Sequence, residues 1–516
     1  MTSEGKKFFG KNISRTVMAM MAVTLLGKLM GVLRDRMEGA LLGMDTAQGA
    51  AFAQASSLPR NFLDIMFAAV FSASFIPVFN DYLETKGKKA AFDLAALFIS
   101  VTLLVTATFT VICVIFAEPL YAIFLSGDAL PAGAFPLGVR LLRFMFPLIV
   151  LSGLAFSLTG ILQSLGEFNI PAAMSAVSNG IILIYYFFFF EKFGVHGLCA
   201  AFLLGWAAQT AIQVPFLVKH RFPFRFSFNV KDAGLRQIAG LALPVMAATW
   251  AAPVNQVLGG KAVALFGGAY DVAAMPKAYN LFLIVSGVFV LSVANVIFPR
   301  LSKESATGDD TAFSDTLGGT LRSLFLILLP MTAGMMAMSE PLVRLVYKDG
   351  LFDESAVAVT ARALFWFSPG IVGYGLQTVL SRACYALRDG KTPVVSAAVA
   401  IALNAALCFG LAPSMELTGV AIASSVSLTA AAGVMMISLA RKGKIKIKRQ
   451  DMLALLKMAG LSVLMLAVVL PLKHGLESVF TAETLWNYAL IAFIPSAVGA
   501  GVYFGGGRVF NPYPLR

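Results

Sequence analysis

Lysines and arginines stand inside otherwise apolar runs of this chain, where each costs roughly 2.5–3.5 kcal/mol on insertion. Lys28, Arg34 and Arg36, with Asp35, fall in the first run, Arg60 and Asp64 in the second, and Lys277 in the eighth. Arg140 and Arg362 fall in the fourth and tenth, with Arg143 and Arg382 nearby. Ammonium and guanidinium groups lining a cavity neutralise an anion directly, and a phosphate or diphosphate suits them best. The competing reading for each is snorkelling to an interface, or a structural ion pair such as Arg60 with Asp64 at i, i+4. Arg36, Arg140 and Arg143 lie near expected helix ends, where snorkelling suffices. Lys28 lies deeper, where it does not. The intramembrane carboxylates Asp35, Asp64, Asp93 and Asp271 are scattered, and no proton-coupling constellation emerges. No acid–base pair, triad or phosphate-binding glycine loop is present either, so a transporter is expected and no catalytic residue is assigned. His196, His220 and His474 fall near loops without ligand spacing, and Cys113, Cys199, Cys384 and Cys408 sit in apolar runs with no CxxC. Neither a metal site nor a cofactor is expected, and the cysteines read as small buried hydrophobes.

The elements that must hold these charges are membrane helices. The chain is 58% hydrophobic and 13% charged, against about 25% charged in soluble proteins, and its mean hydropathy is +0.81. Apolar runs of about 20 residues recur from end to end, which is the length of a spanning helix. Fourteen are counted, beginning with 16–37 and 49–80, with the eighth at 270–299 and the last two at 452–472 and 485–505. The first run lacks a small-residue cleavage site and runs on into Arg34-Asp35-Arg36, so it is taken as an uncleaved span. The fold class expected is an all-α polytopic membrane protein.

Residues 118–200 reappear without gaps at 340–422, a constant offset of 222. Glu118-Pro119-Leu120 matches Glu340-Pro341-Leu342, Arg140 matches Arg362, Pro147 matches Pro369 and Gly197 matches Gly419. A duplicated membrane bundle is the usual build of a secondary transporter, with the substrate path between the halves. The offset covers an even number of helices, so the copies are expected in parallel topology. The division expected is an N-lobe over 1–220, a C-lobe over 221–441, and a basic linker with two extra helices over 442–516.

A net charge of +13 would suit nucleic acid if it were evenly spread, but it is sorted by loop. With the N-terminus inside, the inner loops and termini hold about 24 basic residues and the outer loops about five. That asymmetry places both termini in the cytoplasm. The run 441–449 reads as a linker touching anionic headgroups.

Gly27-Lys28-Leu29-Met30-Gly31-Val32-Leu33-Arg34-Asp35 resembles the first-helix motif of the MurJ (MviN) lipid II flippases, in the multidrug/oligosaccharidyl-lipid/polysaccharide exporter superfamily. Leu58-Pro59, Phe75-Ile76-Pro77, Phe298-Pro299-Arg300-Leu301-Ser302-Lys303 and Tyr385 through Pro393 match as well. The resemblance runs from about residue 15 to 440. It implies a 14-helix exporter that moves the undecaprenyl-diphosphate-linked peptidoglycan precursor to the outer leaflet of the bacterial plasma membrane by alternating access. It further implies basic residues in helices 1, 2 and 8 facing a central cavity. Lys28 and Arg34 stand at the two helix-1 positions, with Asp35 in the motif. The chain departs from the family at Leu63 and Asn280, where arginine is usual. Arg60 and Lys277 lie one turn earlier on the same faces and are expected to take over the charge. The substrate-binding set expected is therefore Lys28, Arg34, Asp35, Arg60, Lys277 and Asn280. Asn404 remains where some members bind sodium, but Cys408 one turn on is a poor ligand for it. The partners expected are lipid II, membrane lipids and the cell-wall synthesis machinery, with no nucleic acid and a monomeric state. The rivals are a flippase for another lipid-linked oligosaccharide and a cation-coupled multidrug exporter; the latter would want acidic residues in its cavity.

Overall fold

The computed structural model describes residues 3–62, 71–128, 130–229, 231–445 and 449–510. Among these, every regular element is helical. The chain folds as two compact units, one of Met1–Ser126 with Leu130–Pro253, the other of Gly127–Ala129 with Val254–Arg516.

The first unit opens with α1 (Ser3–Leu42) and α2 (Ala47–Ser57), the latter capped by Thr46, whose hydroxyl accepts from Gly49 N. Two π-helical turns follow, Leu58–Phe62 and Phe71–Phe75, then α3 (Ile76–Thr85) and α4 (Gly87–Ile115). Leu63 and Asp64 lie outside the described residues. The chain continues through α5 (Ala117–Phe124), α6 (Ala134–Met145), α7 (Leu148–Ser164), α8 (Asn169–Phe188), α9 (Phe190–Ala211) and α10 (Val214–Lys219). One core gathers Phe52, Tyr121, Leu142 and Phe202; another is an aromatic stack of Phe75, Phe79, Phe92 and Phe98. The Phe75 and Phe98 rings stack with centroids 4.6 Å apart. α1 lies on α8 at close range because Gly27 has no side chain: a Cβ there would meet Ala176 N at 3.1 Å. α11 (Ala233–Thr249), N-capped by the Asp232 carboxylate, packs against the Phe71–Phe75 turn, so it belongs to this unit. The units thus part at Pro253, inside α12 (Ala251–Phe266).

The second unit holds α13 (Ala269–Ala306), α14 (Asp310–Ala337), α15 (Ser339–Tyr347), α16 (Glu354–Phe367), α17 (Gly370–Ala386), α18 (Lys391–Arg441), α19 (Arg449–Val479) and α20 (Leu485–Phe510). α16 and α17 meet at a 46° bend next to Pro369. α18 has 51 residues and breaks at Glu416, where φ is 51°, so it contains two of the expected spans. α19 packs on α14 and α20 on α15, around Met338, Leu461, Met465 and Tyr503. The basic linker is tied to this unit: Lys442 pairs with Asp389 and Lys444 with Asp310, and just beyond it Asp451 of α19 pairs with Arg322 of α14 at 2.8 Å. At least two of its lysines therefore meet carboxylates of the protein as well as any headgroup.

The duplication is visible in the backbone. α7 and α17 run over equivalent residues, 148–164 and 370–386, and α5 and α15 both begin at equivalent positions. Left-handed residues recur in pairs 222 apart: Gly166 with Arg388, Gly194 with Glu416, and Arg221 with Gly443. Among the described residues, nine helices are long and apolar enough to cross a membrane, or ten if α16 and α17 count as one span. The protein is an all-α polytopic membrane protein.

Candidate functional site

α1 carries the charge-bearing face. Arg34 donates from Nη2 and Nε to Asp35 Oδ1 at 2.6 and 3.0 Å. Its Nη1 donates to Asn179 Oδ1 on α8 at 2.9 Å. Asn179 in turn donates to Gly27 O at 3.0 Å, so the close approach that Gly27 allows also seats the guanidinium. Arg60, on the π-helical turn after α2, lies with its Cζ 4.9 Å from the Phe202 ring centroid, and the Arg34 Cζ lies 5.6 Å from the same ring. An aromatic ring within reach of both cations lowers the cost of holding them away from water. Arg60 Nη1 stands 3.7 Å from Glu38 Oε2, so Glu38 is its counter-charge among the described residues. The expected partner Asp64 lies outside them.

The two arginines, Asn179 and Phe202 border a cavity of about 610 Å³ within the first unit. Arg34, Arg60, Gln163, Asn179, Trp206 and Gln209 are among its walls. A polar, partly aromatic pocket with two arginines at one end can receive an anion, and planar guanidinium forks favour phosphate oxygens.

The expected residues do not all converge here. Arg34, Asp35 and Arg60 come together. Lys28 is on α1 but exposed. Lys277 and Asn280 belong to α13 of the second unit. Lys277 is buried there, with its Nζ 5.5 Å from the Tyr347 ring centroid, and its carbonyl accepts from the Tyr347 hydroxyl at 3.2 Å. Asn280 is half-buried one turn further on. Arg143 pairs with Glu118 at 3.9 Å, and Arg140 donates to Pro136 O within its own helix. Sequence reasoning missed Glu38, Asn179, Tyr186 and Phe202. The one available signal for Glu38 was its i+4 spacing from Arg34.

Outside the spans, two carboxylates occupy equivalent positions of the two copies. A hydrogen bond from His220 is the main influence holding the Glu167 carboxyl below its usual range, with Lys219 adding to it and burial opposing. Burial pushes the Asp389 carboxyl up, but Lys442 and Thr392 outweigh it and bring it to about 2. Cys113, Cys199, Cys384 and Cys408 are buried free thiols.

The model of the family described as lipid II flippase MurJ matches residues 39–490. The chain belongs to the lipid II flippase MurJ family. It is 27% identical to the probable lipid II flippase MurJ of Vibrio cholerae over 81% of each chain. It is 26% identical to that of Rhizobium tropici over 93% of this chain and 91% of the relative. The lipid II flippase MurJ of Burkholderia cenocepacia is 25% identical over 74% of this chain and 75% of its own. Among solved structures, an inward-closed lipid II flippase MurJ superposes with a TM-score of 0.75 at 21% identity, covering 94% of this chain and 99% of that one. An inward-facing multidrug resistance MATE transporter of the MOP superfamily gives 0.69 at 15% identity, over 82% and 97%. The family is one of transporters rather than enzymes, and the MurJ architecture accounts for nearly the whole chain.

Proposed function

We propose that this chain flips lipid II from the cytoplasmic to the outer leaflet of the bacterial plasma membrane by alternating access. The observation that carries the reading is the Arg34–Arg60 pair at one end of an intramembrane cavity, in a chain of the MurJ family. The diphosphate engages Arg34 and Arg60, with Asp35 orienting Arg34, while Lys28, Lys277 and Asn280 complete the path. The transport lobes are residues 1–220 and 221–441, and α19 and α20 border the polyprenyl tail, which stays in lipid. Both termini are cytoplasmic, and the protein works as a monomer beside the cell-wall synthesis machinery. An inside-negative potential favours outward movement of an anion by about 2.3 kcal/mol per charge per 100 mV.

The test is rescue of a bacterium depleted of its own flippase. The wild-type chain restores growth and shape, and Arg34→Ala, Arg60→Ala and Lys277→Ala each lose that rescue while still reaching the membrane. If Arg60→Ala and Lys277→Ala both rescue fully, those residues do not carry the charge displaced from positions 63 and 280. Drug resistance without rescue would instead support a multidrug exporter.

A further inference from the structure

The arginine pair meets its own carboxylates. Asp35 and Glu38 offset Arg34 and Arg60, so these four largely sheltered side chains sum to no formal charge. A diphosphate entering a neutral cluster gains little unless one carboxylate yields an arginine to it. Toward the two arginines, the acids are not equally committed. Asp35 takes two hydrogen bonds from Arg34, one of 2.6 Å. The Glu38 contact with Arg60 is 3.7 Å, a charge contact beyond hydrogen-bond range, made from a longer and more rotatable side chain. Both members of that pair are largely sheltered, with side chains 22% and 14% exposed for Arg60 and Glu38, so the attraction is only weakly screened. Arg60 is a wall of the cavity and open to a ligand. The Tyr186 hydroxyl on α8 is buried, has no hydrogen-bond partner among the described residues, and lies in the field of Glu38, Arg34, Arg60 and Asp35. It supplies a donor for a carboxylate that leaves Arg60.

We propose that Glu38 is a built-in competitor of the substrate, occupying Arg60 in the empty site and giving it up to the incoming diphosphate. This rests on the flippase reading above and makes Glu38 a positioning residue for it. The competition lowers the affinity for the headgroup, and its return to Arg60 helps expel the headgroup on the far side. A residue of this kind trades tight binding for turnover.

The experiment uses the full-length protein and geranylgeranyl diphosphate as a soluble polyprenyl diphosphate. Glu38→Gln binds it at least about tenfold more tightly than wild type. In proteoliposomes the same variant flips lipid II with a lower KM and a lower kcat. In an Arg60→Gln background the Glu38→Gln effect vanishes, because the competitor has nothing left to contest. Glu38→Asp keeps the charge but shortens the reach, and tightens binding by a smaller factor. That variant carries the test if Glu38→Gln does not fold. A merely structural Glu38 would give unchanged or weaker binding in both variants, or a tightening that persists without Arg60, and either result overturns the proposal. If wild type binds the diphosphate through Arg60 but neither variant binds more tightly, this inference alone fails. If neither wild type nor variants bind it, the flippase reading fails and takes the inference with it.

Discussion

Arg34 shows what a buried guanidinium requires. Its fork is satisfied by Asp35 on one side and by Asn179 on the other, across 145 residues of chain. Removing the amide leaves part of a sheltered cation without an acceptor, which costs about 1–3 kcal/mol. Asn179→Ala should therefore lower the unfolding midpoint of the purified protein in detergent, and it should weaken rescue. Arg34→Lys should not restore function, since one ammonium cannot serve both acceptors in the fork's geometry; growth of the depleted strain checks this. Arg34 and Asp35 were legible in sequence because a charge inside an apolar run is conspicuous. Asn179, Tyr186 and Phe202 were not, because an amide or an aromatic ring in a span is ordinary and periodicity says nothing of a neighbour so far along the chain. Glu38 was hidden for a different reason: the first span was expected to close at residue 37, whereas α1 continues to Leu42 and brings Glu38 alongside Arg60.

At the scale of elements, the two copies break their helices at the same places, but with different residues. Gly194 (φ 56°) and Glu416 (φ 51°) occupy equivalent breaks. A side chain in that conformation costs about 1–3 kcal/mol, which glycine avoids. Glu416→Gly should raise the thermal midpoint by the equivalent of about 1 kcal/mol, and Gly194→Ala should lower it by a similar amount. No change in either would mean that the breaks are not strained. The repeat was legible from the constant offset, and so was the break inside α18, because the expected spans 393–412 and 418–440 part on either side of Glu416; the left-handed backbone at the break was not, because nothing in hydropathy marks it. A second element-level device is the anchoring of the linker by Asp389 and Lys442. The folded Asp389 carboxyl titrates at about 2, below the value of about 3.9 expected when unfolded. Its contribution is therefore fully present above about pH 4 and lost as pH falls through about 2. Amide exchange in residues 442–445 should be unchanged between pH 7 and pH 5 after correction for intrinsic rates, and faster in Asp389→Asn at both.

For the whole molecule, composition and periodicity were enough to reach an all-helical membrane protein built on a duplication. They were not enough to say which neighbour each helix takes. The compact units part at Pro253 and not where the repeat does, because α11 rests on the Phe71–Phe75 turn of the first unit. That is a matter of surface fit, which hydropathy does not encode. Orientation is a separate question, decided during insertion by the sorting of basic residues among short loops. The inner assignment includes Lys88 and Lys303, the outer Lys192 and the loop holding Glu483. All four residues are exposed, and the native thiols are buried, so single added cysteines report cleanly. In intact spheroplasts a membrane-impermeant maleimide should label Lys192→Cys and Glu483→Cys at once. It should reach Lys88→Cys and Lys303→Cys only after permeabilisation. Each unit is probed on both sides, so the pattern also tests parity: an uncounted or extra span between any two sites would invert the labelling of one against the other. Reversal of all four would turn the cytoplasmic end of the path outward, while an inside-negative potential would still drive an anion out of the cell.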